Sequence, residues 1–509
     1  MSLTSALSIA NSGLANVNAQ LALVSQNVAN ASTPSYSAEI ISQQDLTAGG
    51  YAMGVVSGPA TITVNAELQA ELLNQNATVS GLQTTQSALS AIDAVNGTPG
   101  QGSDLGSLLG DLEDQFSTLL NDPDDATQQS QVVSSATTLA QGINTLSNTY
   151  TAQRQTAENN IVSEVNTINQ TLSTIGSLSD QIIAAQSAGQ STADLENQRN
   201  AQVASLSQLV SINTLVQPNG DMLITTSSGT ELPTHGSADP LSTSGANLEP
   251  GSYYPGGGVP AITLNGVDVT DQLKGGSLGA NITLRDTTLP TYQGELDEFS
   301  QNLASQFAAQ GLDLFTDASG NVPTGGGVPV QSGYVGFASE IQVNPEVQSN
   351  PALVTDGTTA IAGSPTGASA FTPNPAGGPA GFTTMITRVL DYTFGADVQS
   401  GVAQPASNTT GLGPAGNLNA PYQPQPTLAG TASALVGAES SDSSTATSQL
   451  DTAQTLQSTL QSSLTNQTGV NMDTEMSDMI ALQNAYSANA HVISAVQSMF
   501  DTLLSAVSS

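Results

Sequence analysis

Residues 161–182 read Ile-Val-Ser-Glu-Val-Asn-Thr-Ile-Asn-Gln-Thr-Leu-Ser-Thr-Ile-Gly-Ser-Leu-Ser-Asp-Gln-Ile. Apolar residues recur at Ile161, Val165, Ile168, Leu172, Ile175 and Ile182, in steps of three and four, with Ser179 in the one polar slot. That spacing returns to one side of a helix with 3.6 residues per turn. The helical pattern extends over 127–188. At 1.5 Å per residue, a helix of about 55 residues spans roughly 80 Å, the length of a rod.

Helical spacing continues on both sides of this segment. Residues 66–96 are predicted helical up to Asn96-Gly97, a shorter helix is predicted over 103–121, and another over 193–210. The period then changes to two. Ile212, Thr214 and Val216 precede Pro218-Asn219-Gly220, and Met222, Ile224 and Thr226 follow, which predicts a strand–turn–strand unit. Residues 230–285 read as β-structure and loops, 288–310 as helix, 311–345 as β or loop, and 381–394 as a short amphipathic helix. Pro/Gly-rich stretches at 361–381 and 404–427 read as linkers. Helix resumes over 428–507, with a break near Thr468-Gly469. Residues 38–66 read as extended or hairpin, with a turn signal at Gly49-Gly50.

The two ends are alike. Residues 1–38 contain no Asp, Glu, Lys or Arg, yet Leu3, Leu7, Ala10, Leu14, Val17, Leu21, Val24 and Val28 keep heptad spacing. Met479, Leu482, Tyr486, Asn489, Ile493, Val496, Phe500, Leu503 and Val507 repeat it, with only His491 as a titratable group between Asp478 and Asp501. Heptads favour coiled-coil packing. Uncharged helices lack the ion pairs that set register, so Asn489 at a core position is expected to help fix it. We expect both ends to serve assembly, because an uncharged helix pair gains most from neighbours that cover its remaining faces.

These patterns together predict a mainly α, multidomain α+β chain with a β-rich insertion. Residues 1–38 plus 470–509 would form a terminal coiled coil, and 39–210 plus 428–469 a long-helix rod. Residues 211–427 would form a protruding β-rich domain with a helix near 288–310.

Composition excludes several functions. Five Lys plus Arg against 41 Asp plus Glu give a net charge of −36. Arg154, Arg199, Lys274, Arg285 and Arg388 are scattered and make no basic patch, so neither nucleic acid nor an anionic membrane is an expected partner. No apolar run is long enough for a membrane span, and the N-terminus has no basic region ahead of an apolar core, so it reads as lacking a Sec leader. The chain has no Cys, which excludes disulfides and thiolate metal sites. His235 and His491 are the only histidines and stand in no catalytic spacing. Asp122-Pro123-Asp124-Asp125 lacks the alternation of a calcium loop and reads as a helix stop followed by an N-cap. No catalytic, cofactor or metal residue is therefore assigned.

Residues 23–37, Leu-Val-Ser-Gln-Asn-Val-Ala-Asn-Ala-Ser-Thr-Pro-Ser-Tyr-Ser, closely resemble the N-terminal signature of bacterial flagellar rod, hook and hook-associated axial proteins. Asn27, Ala29, Asn30, Thr33, Pro34, Tyr36 and Ser37 match, and Ser35 stands where Gly is usual. Gly469-Val470-Asn471-Met472-Asp473-Thr474-Glu475 and Gln483-Asn484-Ala485-Tyr486-Ser487-Ala488-Asn489-Ala490 resemble the family's C-terminal signature, with His491 where Lys is common. Four internal segments resemble the hook-associated members: Asp194-Leu195-Glu196-Asn197-Gln198-Arg199, Gly275-Gly276-Ser277-Leu278-Gly279 with Arg285-Asp286, Ile341-Gln342-Val343-Asn344-Pro345, and Arg388-Val389-Leu390-Asp391-Tyr392.

The resemblance implies a non-enzymatic subunit of the flagellum, at the junction of hook and filament. It would be exported through the flagellar type III apparatus, with an export chaperone before secretion. The implied partners are further copies of itself in a ring or helical layer, the hook protein on one side, and a second hook-associated junction protein on the other. Another axial protein, hook or flagellin-like, is the alternative; an exported adhesin is a more distant one.

Overall fold

The computed structural model describes residues 3–33, 36–48, 51–97, 102–236 and 239–507. The turn signal at Gly49-Gly50 and the signature residues Pro34 and Ser35 lie outside them. In chain order the main elements are α1 (Leu3–Asn30), the hairpin β1 (Glu39–Ala48) and β2 (Tyr51–Ile62), α2 (Ala66–Asn96), α3 (Leu105–Leu119), α4 (Ala126–Ser187), α5 (Ala193–Leu209), the hairpin β3 (Ile212–Val216) and β4 (Met222–Thr226), α6 (Gly276–Thr283), α7 (Leu289–Gln310), α8 (Leu428–Thr468) and α9 (Met472–Val507).

α4 is the spine. Its 62 residues make it about 93 Å long at 1.5 Å per residue. Asp125 caps it, its carboxylate accepting from the Thr127 backbone N–H at 2.7 Å, so the acidic run 122–125 is the helix stop and cap that its composition suggests. Two hydrophobic cores lie along the spine. The first half of α4, from Val132 to Tyr150, packs with Leu109, Leu112 and Phe116 of α3, with Leu296, Phe299 and Phe307 of α7, and with Leu435 of α8. The second half, Ile161 to Ile175, packs with Val203 and Leu206 of α5, Ile212 and Ile224 of the second hairpin, and Leu278 of α6.

The seam between the cores is held by ionic and backbone bonds. Arg285 pairs with Glu158 of α4 at 2.7 Å and with Asp286 at 2.7 Å. Arg154 donates to the carbonyls of Arg285, Glu249 and Ser252 at 3.0, 3.2 and 2.9 Å. These guanidiniums satisfy carbonyls of loops that have no ladder of their own.

The predicted strand–turn–strand unit forms the β3–β4 hairpin, with Thr214 opposite Ile224. Strands elsewhere in 211–427 are two or three residues long and form small antiparallel sheets. The segment is also more helical than its pattern predicts. Residues 276–283, read as β or loop, form α6, which runs into a π-helical turn at Leu284–Thr288 and then α7. The start of α6 is disguised because its opening glycines serve close packing. Gly275 and Gly276 have φ of +67° and +65°, and a Cβ on Gly276 would stand 2.3 Å from the Leu209 carbonyl carbon.

Among the described residues, no helix is long and apolar enough to cross a membrane.

Candidate functional site: the terminal helix pair and its neck

α1 lies between α9 on one side and the β1–β2 hairpin on the other, packing along both. Every heptad position of α1 is at least partly covered: Ala10, Val17 and Val24 are buried, and Leu3, Leu7, Leu14, Leu21 and Val28 are half-buried. Facing them on α9, Val496 is buried, and Met479, Leu482, Asn489, Ile493 and Phe500 are half-buried. Tyr486 and Leu503 occupy heptad positions yet remain exposed, because a single partner helix covers only part of the seam.

Gly13, a cost of about 1 kcal/mol against Ala in an isolated helix, has a use here. A Cβ at Gly13 would stand 3.2 Å from the Asn489 side-chain amide. The missing side chain leaves room for Asn489 to pack close against α1. On the other face, Val55 donates its backbone N–H to Ser12 Oγ at 3.2 Å and Ser57 Oγ donates to Asn16 at 2.5 Å. Gly54 permits that approach, since its Cβ would stand 2.3 Å from Ser12 Oγ.

The neck is where α1, the β1–β2 hairpin and α9 meet α5 and α8. Asn27 is 1% exposed. Its Nδ2 donates to the Glu39 carbonyl and to Glu475 Oε1, both at 3.0 Å. Its Oδ1 accepts from the Tyr36 hydroxyl and from the Glu39 backbone N–H, again both at 3.0 Å. One side chain thus ties α1, the first strand and the start of α9. Asn30 ends α1: it donates to the Gln26 carbonyl at 3.1 Å and accepts from Thr33 Oγ1 at 3.3 Å.

α5 and α8 hold the same neck from the other side. Asn197 of α5 accepts from the Ser37 backbone N–H at 2.9 Å and donates to the Ser37 carbonyl at 3.1 Å. The Ala38 N–H donates to the Thr468 carbonyl at 2.7 Å, at the end of α8. Burial raises the Glu39 carboxyl above its ordinary range against the bond from Asn197. Burial likewise raises Tyr36, assisted by Glu39, and Glu475. The neck is therefore a small, poorly solvated polar cluster.

The sequence patterns locate the helix seam, but Glu39 carries no periodic signal and the outer faces of α9 were not marked. Ile480 and Leu504 each follow a heptad position by one residue, Val492 and Met499 each precede one, and Met476 lies one turn ahead of Met479; all are exposed, Ile480 by 57% and Met499 by 50%. A seam flanked by apolar side chains on both sides is the pattern of a helix with more than one neighbour.

The internal segments that resemble the axial proteins also hold structural positions. Arg199 donates to Ser179 Oγ at 3.2 Å and to the Gly220 carbonyl at 2.6 Å, so the polar slot in the α4 stripe is an anchor for the β3–β4 turn. Asn344 donates to the Asp313 carbonyl at 2.9 Å. Arg388 donates to the Gln310 carbonyl at 3.1 Å and the Ser369 carbonyl at 3.0 Å. Among the described residues, no group of three or more His, Cys, Asp or Glu is arranged to hold a metal ion.

Residues 89–322 match the family described as the flagellar hook-associated protein FlgK helical domain. Residues 460–506 match the flagellar basal body rod FlgEFG protein C-terminal family. Flagellar hook-associated protein 1 of Escherichia coli K12 is 25% identical over 569 aligned positions, covering 99% of this chain and 100% of the relative. Its counterpart from Salmonella typhimurium is 27% identical over 340 positions, 63% of this chain and 58% of the relative. A solved structure, the flagellar hook junction protein FlgK from Burkholderia pseudomallei, aligns with a TM-score of 0.41 at 25% identity, over 50% of this chain and 45% of that one. Along nearly its whole length, then, the chain is similar to flagellar hook-associated protein 1 of Escherichia coli.

Proposed function

We propose that this chain is a structural subunit of the bacterial flagellum at the junction between hook and filament, and that it assembles through α1 and α9. The observation that carries the assembly step is the exposed apolar flanks of α9 beside an otherwise uncharged seam. In a lone chain Met476, Ile480, Val492, Met499 and Leu504 face water. In a ring or short helical layer, the terminal helices of adjacent copies cover them. Head-to-tail contacts of this kind are heterologous, so each copy offers one face and receives another.

In this reading the terminal unit lies innermost, the rod forms the next shell, and the segment 211–427 faces outward. The hook protein adjoins the layer on one side and a second hook-associated junction protein on the other. Export runs through the flagellar type III apparatus, with a chaperone holding the apolar ends until then. The proposed division takes 1–38 plus 470–509 as the inner shell, 39–210 plus 428–469 as the next and 211–427 as the outer one, with α7 and the β3–β4 hairpin of the outer segment packed along α4.

Deleting the gene tests the reading. Cells that keep hooks, lose filaments and shed filament subunits into the medium are the expected result; a motile deletion strain with normal filaments overturns it.

A further inference from the structure

We propose that the seam between α7 and α8 is closed by protons held on buried carboxyl groups, so that docking of α8 against α7 and α4 responds to pH. Glu295 of α7 is 2% exposed, and neither of its carboxyl oxygens has a hydrogen-bond partner among the described residues. Glu439 of α8 is equally buried. It accepts from the Tyr150 hydroxyl of α4 and from the Asn96 amide of α2. One turn further along α8, Asp442 accepts from the Tyr292 hydroxyl of α7 at 2.7 Å, and Ser443 donates to Asp93 of α2.

The groups facing this seam are thus Asp93 from α2, Tyr150 from α4, Tyr292 and Glu298 from α7, and Asp442 from α8. Tyr422, on the approach to α8, is acted on by Glu295, Glu439 and Glu298. No Lys, Arg or His is among the groups acting on Glu295 or Glu439. A carboxylate in such a place has neither water nor a cation to stabilise its charge, so it keeps its proton. Burial first, then the charges of Glu439 and Asp442, push Glu295 up to about 9. Burial takes Glu439 up to about 7 against the lowering effect of Tyr150 and Asn96. Asp297, also on α7, is pushed up to about 7 by burial, but it is held by the backbone N–H groups of Gly336 and Ala338 and by Gln293.

The consequence follows from proton linkage. Above the ordinary glutamate range the unfolded chain has released protons that the folded chain still holds. The stability from these groups is therefore fully present in acid and is lost as pH rises, through about 7 for Glu439 and about 9 for Glu295. Across its window each retained proton changes the folding constant about tenfold per pH unit. α8 leads directly into α9, so the seam couples ambient pH to the support of the terminal helix.

The test uses the full chain. Thermal unfolding is followed from about pH 5 to pH 9 in high salt, which screens the surface charges but leaves buried groups unaffected. The expected result is a steeper loss of stability with rising pH in the natural protein than in Glu295→Gln or Glu439→Gln, with Glu295→Gln becoming the more stable of the pair at the alkaline end. Parallel slopes in all three overturn the proposal. A second measurement needs no variant. At about pH 8 the folded protein should show the infrared C=O band of a protonated carboxyl, and unfolding should abolish it. A folded protein without that band overturns the proposal equally.

Discussion

The Asn27 side chain has two N–H donors and two acceptor positions, and all four are used. No other residue of this size can do that. Asp lacks the donors and would set a carboxylate against Glu475 and the Glu39 carbonyl, while Ala would leave a buried N–H and a buried carbonyl unpaired. Each such orphan costs about 1–3 kcal/mol. We expect Asn27→Ala and Asn27→Asp to loosen the neck while leaving the rod folded, with Asn27→Asp recovering in part as pH falls and its carboxyl gains a donating hydrogen. Hydrogen exchange over residues 36–48 and 472–480 reads this directly. Natural protection in both variants would reject the hub.

At the scale of elements, the packing of α6 rests on glycine. Gly276 has a positive φ, and a Cβ there would meet the Leu209 carbonyl carbon at 2.3 Å and its oxygen at 2.4 Å; a Cβ on Gly81 of α2 would meet the Gly276 carbonyl oxygen at 3.0 Å. Three backbones converge where side chains would not fit. Gly276→Ala combines backbone strain with overpacking and should cost about 2–5 kcal/mol. Gly189 is the control: its φ is +67° but nothing lies within 4 Å of a Cβ, so Gly189→Ala should cost only the strain. Urea midpoints compare the two, and equal shifts would reject close approach as the cause. The same glycines show why some elements were legible in the sequence and others were not. The stripe Ile161–Ile182 and the two heptads announce their helices because burial repeats along one element. α6 does not, since its opening residues are chosen for neighbours on α2 and α5. The neck is harder still: Asn27 and Glu475 are 448 positions apart, and no local pattern links them. Nothing in the sequence around Glu295 or Glu439 marks either as buried; that follows only once α7 meets α8.

For the whole molecule, the scarcity of cations takes a definite form. Arg154, Arg199, Arg285 and Arg388 are all buried, each donating to a carbonyl of another segment, which leaves Lys274 as the exposed basic residue. The arginines act as internal clamps, and the surface is left almost wholly anionic. At a net charge of −36, identical copies repel one another except where charge is absent. The stretches without acidic residues, 1–38 and 479–500, are such places, and this gives the outer faces of α9 a sharp test. Val492→Asp or Met499→Asp places a carboxylate on a face that is already exposed in the single chain, so the helical signal and melting temperature of the monomer should stay as they are. In an assembled layer the same carboxylate would be buried without a cation, at a cost of several kcal/mol for every copy. Cells carrying either variant should therefore make and export the protein yet fail to hold filaments. Val496→Asp differs, because Val496 is buried between α1 and α9; it should weaken the terminal helices already in the monomer. The contrast between the two positions separates a surface that packs against other copies from one that packs only within the chain. Normal motility in the Val492→Asp and Met499→Asp strains would place the assembly face elsewhere.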